Sequence, residues 1–238
     1  MQGCEPLERT NQQRAGMGKR YQHPSALTGD GEECGKERNR PPMSLYHDVM
    51  EALTPLIEAF ERLGITYYIG GSVSSSLHGM ARRTQDVDVI ADIGPAQVRS
   101  LVQALQNDYY VDEQAWQDAV RRGFPYNVLH LGTMLKVDLI PLKRRAFTRE
   151  EARRAQTHVL EAGTRPVRVA SAEDAILTKL EWFEMGGRSS ARQWNDILGI
   201  MRQQGTALDI SYLAHWADVL GVRNLLEQAL VEAGFKQP

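Results

Sequence analysis

Cysteine is nearly absent from this chain. Cys4 and Cys34 are the only two in 238 residues, and both lie in the polar stretch ahead of residue 43. That distribution excludes a disulfide framework and leaves neither a Cys–His zinc site nor a cysteine nucleophile. Long apolar runs are missing as well. Nothing approaches the roughly 20 residues needed to cross a bilayer, and the opening Met-Gln-Gly-Cys-Glu-Pro is too polar for a secretory signal. A cytoplasmic protein with no membrane partner is therefore expected. An excess of either charge is also wanting: 28 Lys+Arg stand against 30 Asp+Glu, for a formal net charge of −2. This argues against attraction of the whole protein to nucleic acid or anionic lipid, and leaves local basic patches open. Internal repeats and low-complexity tracts are absent.

Residues 1–42 lack large aliphatic side chains apart from Leu7 and Leu27, and Tyr21 is their one aromatic. Such a segment buries too little apolar surface to offset its ordering entropy. A disordered polar leader is expected, with Met43 as a candidate natural start. From Ser44 the pattern becomes helical, with Leu45, Val49, Leu53, Leu56, Ile57, Phe60 and Leu63 at three-to-four spacing. Gly64 is a stop signal, and Pro55 suggests a kink or a fresh helix start. A strand is expected over Ile65–Ile69, a short helix over Ser72–Leu77, a strand over Asp86–Ala91 and helices over Pro95–Gln106 and Glu113–Arg122. A hairpin of Tyr126–Leu131 and Met134–Ile140, turning at Gly132-Thr133, follows. Arg144–Ala155 reads as a basic helix, and Thr157–Ala170 as one or two short strands. Ser171 then caps a helix with acids in its first turn, and helices over Ala191–Gln203, Ile210–Leu220 and Val222–Ala233 complete the chain. The fold class is mixed α/β (α+β): a core over 43–160 and a C-terminal helical unit over 161–238.

The stretch from Tyr67 to Asp92 holds the chemistry. Successive strand side chains alternate between faces, so Asp86 and Asp88 project together while Val87 and Val89 face the other way. Two carboxylates on one face repel and are costly to desolvate. A divalent cation removes that penalty, and Mg²⁺ is typically held by one or two carboxylates plus substrate phosphates. Gly70 and Gly71 let the backbone approach a ligand, and Ser72 opens a helix whose first N–H groups suit an anion. Taken singly, Gly-Gly-Ser reads as an ordinary turn and Asp-x-Asp as a solvated strand end. In this order they point to a metal–nucleotide site. Asp138, between Val137 and Leu139, is either an edge residue with an ion-pair partner or a third member of the carboxylate cluster. Arg82 fits a phosphate contact or a solvated pair. His78 fits a carbonyl cap, and Trp182, Trp194 and Trp216 fit helix packing. The run Arg144, Arg145, Arg149, Arg153 and Arg154 fits a solvated face, or a nucleic-acid patch if the acceptor is tRNA.

These motifs resemble the DNA polymerase β-like nucleotidyltransferase superfamily, and within it bacterial minimal nucleotidyltransferases including AbiEii-type toxins. The matching residues are Ile69-Gly70-Gly71-Ser72, Leu77-His78-Gly79, Arg82-Arg83-Thr84-Gln85-Asp86-Val87-Asp88 and Val137-Asp138-Leu139. Asp174 to Lys179 matches the Asp-x4-Lys of the toxin group. The chain departs from that group before Asp196, where Gln193 follows Arg192. The resemblance implies a nucleotidyltransferase core that moves a nucleoside monophosphate from a triphosphate such as ATP to a hydroxyl. The implied acceptor is RNA or protein, with a toxin–antitoxin setting and a cognate antitoxin or neighbouring-gene partner. A small aminoglycoside-type acceptor is the alternative, and a non-catalytic binding or antitoxin-like module a further one. It further implies Mg²⁺ at Asp86, Asp88 and Asp138, catalysis by the same three, and nucleotide binding by Gly70, Gly71, Ser72, Arg82 and Lys179.

Overall fold

The computed structural model describes residues 45–235, so the expected leader lies outside the described residues. The chain opens on helix α1 (His47–Arg62), whose Val49, Met50, Leu53, Leu56, Ile57 and Phe60 are all buried. Pro55 lies inside this continuous helix and does not restart it. Burial of Leu53, Leu56 and Ile57 around it outweighs the lost backbone bond, which costs about 3 kcal/mol. Strand β1 is shorter than expected, at Tyr67–Ile69. It leads into α2 (Gly71–His78), β2 (Asp86–Ala91), α3 (Pro95–Leu105), β3 (Tyr109–Tyr110), α4 (Glu113–Arg122), β4 (Tyr126–His130) and β5 (Lys136–Pro141). Helix α5 (Ala146–Arg154), β6 (Gln156–His158) and β7 (Val167–Val169) follow, and the chain ends in α6 (Ala172–Met185), α7 (Ala191–Gln204), α8 (Ile210–Leu220) and α9 (Arg223–Ala233).

The strands form one seven-stranded mixed sheet in the order β3-β4-β5-β2-β1-β7-β6. β2 pairs parallel with β5, and β1 parallel with β7. The expected domain boundary at residue 160 falls inside this sheet, because β7 adds to β1 from beyond it. β3 escapes a reading by periodicity because two residues cannot display one. It exists because Tyr109 pairs with His130 and buries its ring, donating its hydroxyl to the Ala52 carbonyl. Val87, Val89, Val137, Leu139 and Val128 point to the face covered by α1 and α3, forming the first core. A second core joins α6 to α9 around Ile176, Leu180, Ile197, Leu213 and Leu226, with Phe147 of α5 inserted. Trp194 and Trp216 pack against it, whereas Trp182 is 53% exposed. The expectation that Trp182 packs between helices is thus corrected: its position on α6 turns away from the stripe carrying Ile176, Leu180 and Phe183. Among the described residues no helix is long and apolar enough to cross a membrane.

A polar seam joins the sheet to the helical unit. Buried Glu151 of α5 accepts hydrogen bonds from Thr178 of α6 (2.6 Å) and Tyr68 of β1 (3.2 Å). Beside it Ser171 caps α6 and also donates to Asp174 (2.7 Å), while the Tyr212 hydroxyl of α8 donates to the other Asp174 oxygen (2.6 Å). Arg154 lies over the Tyr212 ring, 3.9 Å from its centroid, and pairs with Glu173 at 2.9 Å. Asp174 is therefore a structural residue of the seam. Burial, and then the charge of Asp174, push the Glu151 carboxyl up to about 7 against hydrogen bonds that favour its charge. The folded chain consequently holds a proton at Glu151 that the unfolded chain releases near pH 4.5, so this group's contribution is full below that pH and is lost as pH rises toward 7. Glu151→Gln is expected to remove that slope, worth at most ~3 kcal/mol. Urea midpoints of both proteins at about pH 5 and about pH 8 check it; parallel pH dependence in the two would reject the assignment.

Candidate functional site

β2 and β5 bring the acids together. Their parallel register sets Asp86 opposite Lys136 and Asp88 opposite Asp138. Valine alternation buries one side of each strand, so the carboxylates share the other face. Asp88 thus has Asp86 two residues away along its own strand and Asp138 directly across the ladder. Burial, then Asp86, then Asp138 hold its carboxyl above the ordinary range, and Lys179 and Lys136 oppose them. Asp138 is only half satisfied. Its Oδ2 lies 2.9 Å from the Lys136 ammonium, while its Oδ1 is buried without a hydrogen-bond partner.

The glycine turn is shaped by Asp88. Gly70 donates its N–H to the Asp88 carbonyl (2.9 Å). Gly71 has φ +53°, and a Cβ there would overlap the Asp88 carboxylate, lying 2.6 Å from its Cγ. Any other residue type would be strained there by its φ and would collide with the Asp88 carboxylate. α2 starts at Gly71, one residue earlier than expected, so its first N–H groups, which lack helical partners, flank the carboxylates. Ser72 does not present a free hydroxyl: its Oγ lies 2.6 Å from Thr84 Oγ1, which also lies 2.7 Å from the Asp86 carbonyl and 3.2 Å from Asp86 Oδ1. Thr84 thereby ties the loop before β2 to the turn.

Arg82 and Lys179, far apart in sequence, meet on one carboxylate to which the sequence alone assigns no role. Asp196 Oδ2 accepts from Lys179 Nζ at 2.9 Å and from the Arg82 guanidinium at 3.1 Å. Burial raises the Asp196 carboxyl, but Arg82 and Lys179 together hold it below its usual range. Asp174, the other half of the Asp-x4-Lys motif, lies in the seam. His78 bonds the Ala170 carbonyl through Nε2 at 2.8 Å, as a cap would. Of the basic run, Arg145, Arg153 and Arg154 are paired with Glu181, Glu150 and Glu173. Thr84, Lys136 and Asp196 were missed as site residues. Thr84 stood inside the quoted motif, whereas Lys136 and Asp196 are visible only through strand register and helix docking.

Among the described residues no three His, Cys, Asp or Glu side chains stand in ready metal-ligand geometry. Like-charge repulsion among the acids and the pairing of Lys136 with Asp138 both oppose close approach of their oxygens. The residues nonetheless fit Mg²⁺: they are hard oxygen donors, and the orphaned Asp138 oxygen is a coordination position that nothing among the described residues fills. A cleft of about 380 Å³, lined by Glu61, Thr66, Tyr67, Thr157 and Arg168, opens at the other end of β1. Its Glu61 is paired with Arg165, and none of the carboxylates of the glycine turn reaches it.

No protein-family model matches the chain, and no curated protein matches it by sequence. It is similar to nucleotidyltransferases among solved structures. An antigenic nucleotidyltransferase-like protein from Paracoccidioides brasiliensis aligns at 18% identity and TM-score 0.47, over 80% of this chain and 94% of that one. ANT(2")-Ia in complex with adenylyl-2"-tobramycin aligns at 15% and 0.47, over 74% and 98%. Lincomycin-bound LnuA, a lincosamide antibiotic adenylyltransferase, aligns at 18% and 0.38, over 63% and 94%. Likeness at this level leaves the chemistry to be read from this chain's own residues.

Gly71→Ala is expected to destabilise the fold by ~1–3 kcal/mol through the positive φ and the collision with Asp88. In an Asp88→Ala background the collision with the carboxylate is removed and only the Asp88 Cβ, 3.0 Å away, remains, so the two substitutions should be non-additive. Urea denaturation of the four proteins measures this; strict additivity would show that Gly71 and Asp88 do not touch.

Proposed function

We propose that the chain is a Mg²⁺-dependent nucleotidyltransferase that moves a nucleoside monophosphate from a nucleoside triphosphate to an acceptor hydroxyl. One observation carries this reading: Asp138 presents a buried, unpartnered oxygen in register with Asp88, whose own carboxyl is crowded by two acids. A purely structural sheet gains nothing from that arrangement. Asp86, Asp88 and Asp138 would hold the metal, which when bound neutralises triphosphate charge and stabilises the attacking and leaving oxygens. The α2 N–H groups at Gly71 and Ser72 bind phosphate oxygens. Lys179 and Arg82, steadied by Asp196, supply positive charge where pyrophosphate departs.

The transfer forms a bond from the acceptor oxygen to the α-phosphorus and breaks the bond from that phosphorus to the bridging oxygen of the β-phosphate. Pyrophosphate leaves with the electron pair, and the hydroxyl proton passes to the Asp138 carboxylate. Lys136, 2.9 Å from Asp138 Oδ2, orients that carboxylate and leaves Oδ1 toward the reacting centre. Asp138→Asn is expected to lower transfer by ~10²–10⁴-fold with an unchanged melting temperature. Incubation with each α-labelled triphosphate and Mg²⁺, offering RNA, the protein itself and aminoglycosides as acceptors, provides the measurement. Undiminished transfer by the variant would remove Asp138 from the chemistry.

A further inference from the structure

Lys179 and the glycine turn are carried by two elements that share one buried carboxyl. β1 runs through Ile69 into the turn, and its Tyr68 hydroxyl donates to Glu151 Oε2 at 3.2 Å. Thr178, which directly precedes Lys179 on α6, donates to Glu151 Oε1 at 2.6 Å. Glu151 is 5% exposed. Its carboxyl thus ties the strand that enters the turn to the helix that carries the ammonium.

Among the described residues no cation pairs with Glu151. Arg145 faces it from the start of α5, but the Arg145 N–H groups go to Thr148 and to both Glu181 oxygens. Arg154, one turn along α5, pairs with Glu173 and Asp174. From α6 the fully buried Asp174 adds a like charge. Asp174 has Ser171, Arg154 and the Tyr212 hydroxyl of α8 to support its ionised form, whereas Glu151 has two neutral hydroxyls. Of the two buried acids Glu151 is therefore the one that takes a proton, and burial with the Asp174 charge brings that exchange to about 7.

The proton changes the hydrogen bonding. A carboxylate only accepts, so both hydroxyls donate to it. A carboxylic acid carries an O–H that needs an acceptor of its own, so one hydroxyl must turn from donor to acceptor. Thr178 has somewhere to turn: a threonine inside a helix can donate to the carbonyl four residues back, here that of Asp174, and such a bond bends the helix. We infer that Glu151 is a proton-operated linkage between the seam and the triphosphate site, in which protonation turns the Thr178 hydroxyl onto α6, resets Lys179 and tightens triphosphate binding. The sign follows from charge. Tyr68 pairs with Ile90, on the same sheet face as Asp88, so a polyanion docking at Lys179 favours the form of the seam with one negative charge fewer. By reciprocity, binding draws a proton onto Glu151. This rests on the transferase reading for the ligand, but not for the linkage of Glu151 to α6.

The test has two arms, both on the full chain. In the free protein, NMR follows the Thr178 methyl group and the Lys179 side chain from about pH 5 to about pH 9. Both are expected to shift in wild type with a midpoint at about 7. Glu151→Gln, whose amide offers one donor and one acceptor at every pH, should lose that titration. In the second arm, calorimetry measures Mg²⁺–triphosphate binding at about pH 6 and about pH 8, where wild type is expected to lose about fivefold more affinity than Glu151→Gln. Thr178→Val leaves Glu151 its proton and removes the hydroxyl that relays it, so its binding should follow the pH dependence of Glu151→Gln. Signals that do not titrate in wild type, or titrate alike in Glu151→Gln, overturn the linkage, as does binding with the same pH dependence in wild type and Glu151→Gln. Titrating signals without triphosphate binding at either pH uphold the linkage of Glu151 to α6 and reject the transferase reading instead.

Discussion

Electrostatic crowding at Asp88 is the constraint around which the sheet face is arranged. Its carboxylate has like charges along the strand and across the ladder, in a setting buried enough to raise its proton affinity. An uncompensated cluster of this kind would be expelled by any fold free to do so. It persists because Lys136 and Lys179 stand close by, and because α2 aims its partly positive N-terminus at the same spot. Space is as tightly managed as charge. The carboxylate occupies the volume that a side chain at residue 71 would need, so the glycine turn and the acid define each other.

The helical unit contributes more than a second core. α6 delivers Lys179 and α7 delivers Asp196, and the carboxylate of Asp196 gathers Lys179 and Arg82 into one cationic group. Two cations sharing one acid carry a net positive charge in a fixed place. The orientation of α6 depends in turn on the seam, where Glu151, Thr178 and Tyr68 bond across three elements. Lys179 follows Thr178 directly in the chain. Packing far from the acids therefore bears on where that ammonium sits.

Most of the elements were legible because their signals were local. Alternation marked β2 and β5, Ser171 marked the start of α6, and the three-to-four spacing of α1 survived Pro55. The misreadings have local causes too. β3 is too short to carry a period, and Trp182 falls on a helix whose apolar stripe lies elsewhere. Asp174 shares a motif with Lys179 but, five residues earlier on the helix, faces the seam and not the sheet.

By itself the sequence determined that Asp86 and Asp88 share a strand face, that a glycine turn precedes them, and that Asp138 opposes its apolar neighbours. Period and sterics are properties of adjacent residues, so no further information was needed. Tertiary structure decided that Asp138 stands in register with Asp88, that Lys136 takes one of its oxygens, and that Asp196 joins Arg82 to Lys179. It also decided that Thr178 and Tyr68 meet on Glu151. Those relations depend on strand order and helix docking between residues far apart in the chain, which no local pattern encodes.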